Sequence, residues 1–171
     1  MIIQVLTASQ IYNVRVELIA LLTDTVDHGA SVSFIAPLDP QIAENYWLKI
    51  EKAVEAGQRI VIAALVADRV AGSVQLGLDQ PPNGLHRADV QKMLVHRDFR
   101  RQGLATRLLA AAEQAARDAG RTLLVLDTER GGAAEPLYEK SGYQRVGVIP
   151  AYALNSDGTA LIDTVVFYKQ L

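Results

Sequence analysis

Cysteine is absent from the 171-residue sequence. Its absence excludes a disulfide framework, a thiolate metal site and a cysteine nucleophile. The formal net charge is only −2, which argues against a general surface for nucleic acid or anionic membranes. The longest apolar stretches, such as IVIAALVA at residues 60–67, are too short to span a bilayer. The N-terminal residues lack the basic segment and cleavage site of a signal peptide, so we expect a cytoplasmic protein.

A single α/β domain, residues 1–171, is predicted from length and patterning. Half of the residues are apolar, and no linker, internal repeat or low-complexity segment divides the chain. Apolar periodicity predicts seven strands and four helices in the order β-α-α-β-β-β-α-β-α-β-β. Asp39 and Pro40 should begin the second helix. Asp68 and Arg69 should form the turn of a hairpin between the second and third strands.

The segment FRRQGLATRLL, residues 99–109, joins a predicted strand to a helix predicted from Leu104 to Ala119. A helix usually begins with Ser, Thr, Asp or Asn, whose side chain accepts from the free N–H groups of the first turn. This segment carries two arginines, Gly103 and Ala105 instead. Free N–H groups at the positive end of a helix dipole bind anions, most often phosphate. The segment therefore predicts an anion site.

Two segments give the chain its family resemblance: Arg100-x-x-Gly103-x-Ala105 and, further along, AEPLYEKSGYQRVG at residues 134–147. Together with the element order, they resemble the GCN5-related N-acetyltransferases. Within that family, the stretches HGASVSF, PNGLHRADVQKMLV and YQRVGVIPAY are most similar to the tabtoxin resistance proteins. The resemblance implies a mixed, mostly antiparallel sheet of about seven strands flanked by about four helices. It also implies acetyl-coenzyme A as the cosubstrate.

The resemblance further implies which residues hold acetyl-coenzyme A. Backbone groups of Met93, Leu94 and Val95 would pair with the pantetheine arm, much as a sheet edge pairs with an added strand. Gly103 lets the backbone approach the pyrophosphate without a Cβ atom in the way. The residues expected around the pyrophosphate are Arg100, Arg101, Gln102, Gly103, Leu104, Ala105 and Thr106.

Three side chains are candidates for catalysis. Tyr138 matches the family's tyrosine that donates a proton to the leaving thiolate; alternatively, it is a core residue with a hydrogen-bonded hydroxyl. Asp127 ends the apolar run TLLVLD, where we expect it to be buried, a setting that suits a general base. Asp89 lies on the neighbouring predicted strand, and we expect the two carboxylates to share one cleft and collect the amine's proton through water. The alternatives are a hydrogen-bonded strand end for Asp127 and a solvated strand start for Asp89.

His28 and Phe34 lie in or beside the polar loop DHGASVSF, which covers the acceptor site in the family, and are candidate substrate-binding residues or plain loop structure. The scattered histidines suggest no metal site. The resemblance implies acetyl transfer to a small amine such as a toxin, antibiotic or metabolite, and the absence of cysteine favours direct attack by that amine over a thioacyl-enzyme intermediate. An acyl-coenzyme A-binding module without turnover and a protein or peptide N-acetyltransferase remain alternatives. We expect a monomer or homodimer.

Overall fold

A seven-stranded sheet organises the protein, whose computed structural model describes residues 1–67 and 69–171. The strands lie in the order β1-β2-β3-β4-β5-β7-β6. Only β4 and β5 run parallel; the other neighbouring pairs are antiparallel. The predicted mixed, mostly antiparallel sheet is thus confirmed. The strands are β1 (Ile2–Leu6), β2 (Arg59–Val66), β3 (Arg69–Gly77), β4 (Arg87–Val95), β5 (Leu123–Glu129), β6 (Gln144–Leu154) and β7 (Leu161–Gln170).

Five α-helices, one more than predicted, flank this sheet in the described part of the chain. They are α1 (Ala8–Asn13), α2 (Arg15–Asp27), α3 (Pro40–Glu55), α4 (Leu104–Asp118) and α5 (Glu135–Lys140). The additional helix arises because the first predicted helix is interrupted at Val14, whose φ and ψ are −107° and 17°. Asn13 and Val14 both have low helix propensity. Asp39 caps α3 with Pro40 in its first turn, as predicted.

The core lies on both faces of the sheet. Helix α4 covers one face and packs Leu104 and Leu108 against buried residues such as Val74. Helices α1 to α3 cover the other, where Trp47 is fully buried. No helix among the described residues is long and apolar enough to cross a membrane.

Strand β6 runs from Gln144 to Leu154 and passes through Pro150. Pro150 does not end it, because β6 lies at the edge of the sheet, where a missing backbone donor is tolerated. The predicted turn between β2 and β3 falls partly on Asp68, which lies outside the described residues.

The sheet opens between β4 and β5. These strands pair only from Arg87 to Asp89, opposite Leu123 to Val125. Beyond that point a bulge bends β4: Lys92 and Met93 together lie opposite a single residue of β3. Lys92 has the left-handed φ of 50°. A bulge bends a strand and increases its local twist, so the backbone edge of β4 that faces β5 is left without a partner strand.

Candidate active site

A cleft of about 580 Å³ occupies the opening between β4 and β5. Its volume is in the range of small-molecule sites. It is lined by β4, β5, the end of α2 with the loop that follows it, the start of α4, and α5 with the segment preceding it. A second cavity of about 280 Å³ adjoins it beneath the loop after α2. The two share five lining residues: Ser31, Ser33, Asp127, Thr128 and Glu129.

One end of the cleft is the start of α4. Gly103 precedes this helix in the left-handed region, with φ +74°, and no side chain of the described residues caps the first turn. Arg101 is also left-handed, with φ 60°. Arg100 and Ala105 line the cleft, and Arg100 Nε donates to the carbonyl oxygen of Val95 at 3.1 Å. The uncapped first turn therefore lies at the end of the cleft that Arg100 also lines, an arrangement that suits an anion.

The other residues predicted at the pyrophosphate surround this turn. Arg101, Gln102 and Thr106 are exposed, whereas the side chain of Leu104 is buried in the core. Gln102 Nε2 donates to the carbonyl oxygen of Asp98 at 3.0 Å. Leu104 can therefore offer a ligand only its backbone N–H.

Asp24 on α2 ties this loop to the helical layer. Its carboxylate accepts from the backbone N–H of Arg97 at 3.0 Å and from the Arg97 side chain. Burial alone would raise the pKa of Asp24, but the Arg97 hydrogen bonds and the nearby His96 lower it overall. Sequence reading missed this contact, which joins residues 73 positions apart.

The three residues predicted to pair with the pantetheine arm lie along the open edge of β4. Met93 and Val95 line the cleft. The side chain of Leu94 is fully buried in the opposite core cluster, so only its backbone is available. Because β4 has no partner strand here, its backbone can pair with an extended arm.

Tyr138 on α5 lines the cleft and is only 5% exposed. Its ring packs against those of Tyr143 and Phe167, with centroid separations of 5.7 Å and 6.1 Å. Burial, and then the negative charge of Asp127, raise the pKa of Tyr138 to about 12. The hydroxyl therefore stays protonated at neutral pH and can act as a proton donor.

Asp127 lies on β5 at the junction of the two cavities. The prediction that it is buried is wrong: its side chain is exposed. Strand β4 bends away after Asp89, so β5 has no neighbour on that side at Asp127. Thr164 Oγ1 donates to Asp127 Oδ2 at 3.0 Å, which leaves carboxylate capacity free towards the cleft.

Asp89 lies in the paired part of β4, opposite Val125, and lines neither of the two cavities. Its Oδ2 accepts from Gln80 Nε2 at 2.8 Å, and Gln80 in turn accepts from Arg87. The expectation that Asp89 and Asp127 share one cleft is therefore wrong. A partner from the loop after β3 holds the Asp89 carboxylate instead.

The candidate substrate-binding residues lie on different walls. His28 is exposed and lines the larger cleft, with Nδ1 2.7 Å from the backbone oxygen of Asp24. Phe34 lines the smaller cavity and packs edge-on against Tyr46, at a centroid distance of 5.3 Å.

Lys92 is a site residue that sequence reading missed. The bulge directs its half-buried side chain into the cleft, where Nζ donates to Ser33 Oγ at 2.9 Å. Nζ also lies 5.6 Å from the centre of the Phe34 ring. Burial and the charge of Arg59, only partly opposed by Asp127, lower the pKa of Lys92 to about 8. The signal was present in the sequence: Gln91 and Lys92 are consecutive polar residues that break the alternation of the strand.

An open sheet edge beside an uncapped helix start is the arrangement expected from the resemblance to N-acetyltransferases. The model of the acetyltransferase (GNAT) family matches residues 26–143, about two thirds of the chain, and the protein belongs to this family.

Solved structures share this fold along the whole chain. A ribosomal-protein-alanine N-acetyltransferase from Brucella melitensis is 23% identical, with a TM-score of 0.78 and 100% of both chains covered. The structure of yncA from Salmonella typhimurium with its cofactor acetyl-CoA is 18% identical, with a TM-score of 0.78 over 100% of this chain and 94% of that one. An aminoglycoside 6'-acetyltransferase type Ii is 20% identical, with a TM-score of 0.72 over 99% of this chain and 97% of that one. At these identities the similarity establishes the fold alone.

Proposed function

We propose that this protein transfers the acetyl group of acetyl-coenzyme A directly to a small amine such as a toxin, antibiotic or metabolite. The observation that carries the proposal is one continuous cleft. It runs from the uncapped start of α4, along the open edge of β4, to Tyr138 and Asp127. In this proposal, the phosphate site, the arm site and the two groups that exchange protons follow one another in the order that the reaction needs.

The residues present fit acetyl-coenzyme A. The left-handed Gly103 exposes backbone N–H groups for the pyrophosphate, and an added Cβ there would meet nothing within 4 Å among the described atoms. Met93 and Val95 would hold the arm through the free edge of β4. When bound, this cosubstrate supplies the acetyl group as an activated thioester.

Asp127 accepts the proton of the acceptor amine in this proposal. An aliphatic amine has a pKa of about 10.4, so only about one molecule in two thousand is neutral at pH 7. The Asp127 carboxylate reaches both cavities, so it can face the amine directly or through one water. Tyr138 holds a proton at its buried hydroxyl and donates it in a hydrogen bond to the leaving sulfur.

The small cavity supports a small acceptor. At about 280 Å³ it lies at the lower end of the range for small-molecule sites. Ser31 and Phe34 from the loop after α2 form one side of it, and β6 and β7 form the other. The resemblance to tabtoxin resistance proteins supports a toxin-like amine. We further propose that the protein is cytoplasmic and acts as a monomer or homodimer.

A panel of amines, with release of free coenzyme A as the readout, tests the proposed function. The panel includes amino acids, their carboxamides, polyamines, aminoglycosides and short peptides. We expect release above the background hydrolysis rate for at least one small amine. Calorimetric binding of acetyl-coenzyme A without stimulation by any amine would favour a binding module and contradict the proposal. A strong preference for peptides would favour a protein N-acetyltransferase.

A further inference from the structure

Lys92 places a positive charge where the two cavities meet. Its Nζ donates to Ser33 Oγ, and Ser33 lines both cavities. An ammonium group has three donors, and the hydroxyl of Ser33 occupies only one of them. Lys92 forms no ion pair with any residue of 1–67 or 69–171. A half-buried ammonium with free donors favours an anionic ligand.

Arg59 strengthens the positive potential behind Lys92. It is held in place by hydrogen bonds from Nη1 to Gln91 Oε1 at 2.7 Å and to Gln75 Oε1 at 3.2 Å. Tyr46 donates to the same oxygen of Gln75 at 3.0 Å. Burial and the charge of Arg59 both disfavour the charged form of Lys92, so a counter-ion close to its ammonium group would be stabilising.

Asp127 supplies the opposite charge at the same junction. It lines both cavities, and its charge acts on Lys92. An acceptor with a single positive charge can place its ammonium towards Asp127. Glu129 lines both cavities too, and Asp163 lines the smaller one, so carboxylates surround this place for the ammonium. Near Lys92 and Arg59, by contrast, like-charge repulsion disfavours any further positive charge of a polycation.

We propose that Lys92 binds an anionic group of the acceptor, so that the protein selects small amines that also carry a carboxylate. The inference rests on the proposed function and names its substrate class. Amino acids have this zwitterionic character, whereas polyamines and aminoglycosides lack it. Lys92 then acts as the specificity-determining residue, and Ser33 fixes the direction of its ammonium.

Matched acceptors isolate the contribution of the carboxylate. α-Amino acids are compared with their own carboxamides and with the amines that lack the carboxyl group, by initial rates of coenzyme A release. We expect the wild-type protein to prefer the acids in kcat/KM by roughly 10-fold or more, as for a hydrogen bond to a charged group. The preference should appear mainly in KM, because the contact exists before the chemical step.

Three variants assign the preference to Lys92. Lys92→Met should bring the acid-to-amide ratio close to one, and Lys92→Arg should retain a preference for acids. Lys49→Met removes a lysine from the exposed surface of α3 and should leave the ratio as in wild type. Calorimetry with acetyl-coenzyme A checks that each variant is folded and binds its cosubstrate.

Different results would contradict the role of Lys92 and the proposed function. A wild-type preference for carboxamides, decarboxylated amines or polycations would overturn the role of Lys92 while leaving the proposed function intact. An acid preference that persists in folded Lys92→Met would do the same. Transfer to no amine at all would overturn the proposed function and, with it, this inference.

Discussion

Tyr138→Phe removes one oxygen atom from the cleft and leaves the packing of the ring in place. The ring contacts with Tyr143 and Phe167 involve carbon faces and edges that phenylalanine also has. The Tyr138 hydroxyl forms no hydrogen bond within residues 1–67 and 69–171, where the tyrosine hydroxyls that do so are those of Tyr46 and Tyr168. The variant therefore leaves no polar group of these residues without its hydrogen-bond partner. We therefore expect little change in the free energy of unfolding and a change in the chemical step.

The magnitude follows from the raised pKa of Tyr138. Complete transfer of a proton from a hydroxyl of pKa about 12 to an ordinary thiolate of pKa about 8.5 is uphill by about 5 kcal/mol. Tyr138 would therefore stabilise the developing thiolate mainly as a hydrogen-bond donor, a contribution of about 1.5–3 kcal/mol. We expect Tyr138→Phe to slow the chemical step by about 10²-fold, the lower end of the range for a general acid.

Single-turnover measurement of coenzyme A release isolates the chemical step, and calorimetry measures acetyl-coenzyme A affinity separately. Tyr143→Phe is the matched control because it makes the same chemical change in a neighbouring buried ring outside the cleft. Burial, first, and the charge of Glu113 raise the pKa of Tyr143 as well. A near wild-type rate in Tyr138→Phe, or an equal loss in both variants, would refute the assignment of Tyr138 as the donor.

Further predictions concern the phosphate site, the carboxylates and the sheet. Gly103→Asp should weaken acetyl-coenzyme A binding in calorimetry far more than Gly103→Ala does. Both variants should lower the free energy of unfolding by about 1–2 kcal/mol, because a residue with a Cβ atom is disfavoured at the left-handed φ of this position, but only Gly103→Asp adds a negative charge. Asp127→Asn should lower kcat/KM with a small amine, whereas Asp89→Asn should retain most of it; equal losses would contradict this separation. Gly72→Ala should lower the free energy of unfolding by about 1–3 kcal/mol, because its Cβ would lie 2.8 Å from the backbone oxygen of Leu94. Gly147→Ala, whose Cβ meets nothing within 4 Å among the described atoms, is the control in denaturant titration, and equal midpoints would contradict the packing argument.

The order of the elements could be predicted because it depends on local patterning. The capping pair Asp39–Pro40, for example, is a property of neighbouring residues. The start of α4 could be predicted for the same reason, since the absence of a capping side chain is visible in the sequence. Local chemistry thus indicated both the fold class and the uncapped start of α4.

The partners of the carboxylates could not be predicted, because they depend on contacts between distant segments. Asp127 follows an apolar run, which indicated burial, but the departure of β4 exposes it. Asp89 has a partner in Gln80, on a loop whose path no periodicity specifies. The contact of Asp24 with Arg97 likewise joins two elements that only the folded sheet brings together.

The bulge at Lys92 and Met93 gives several features of the site a common origin. One extra residue in β4 bends the strand away from β5, which leaves its backbone edge open for an extended ligand. The same separation exposes Asp127, since β5 then has a neighbouring strand only on its β7 side at that position. The left-handed backbone of Lys92 belongs to the bulge as well, and its ammonium reaches the cleft opposite Asp127. A regular β4 would instead continue to pair with β5 and close the opening. The proposed arm site and the two charges at the proposed acceptor site therefore depend on a single local departure from regular strand geometry.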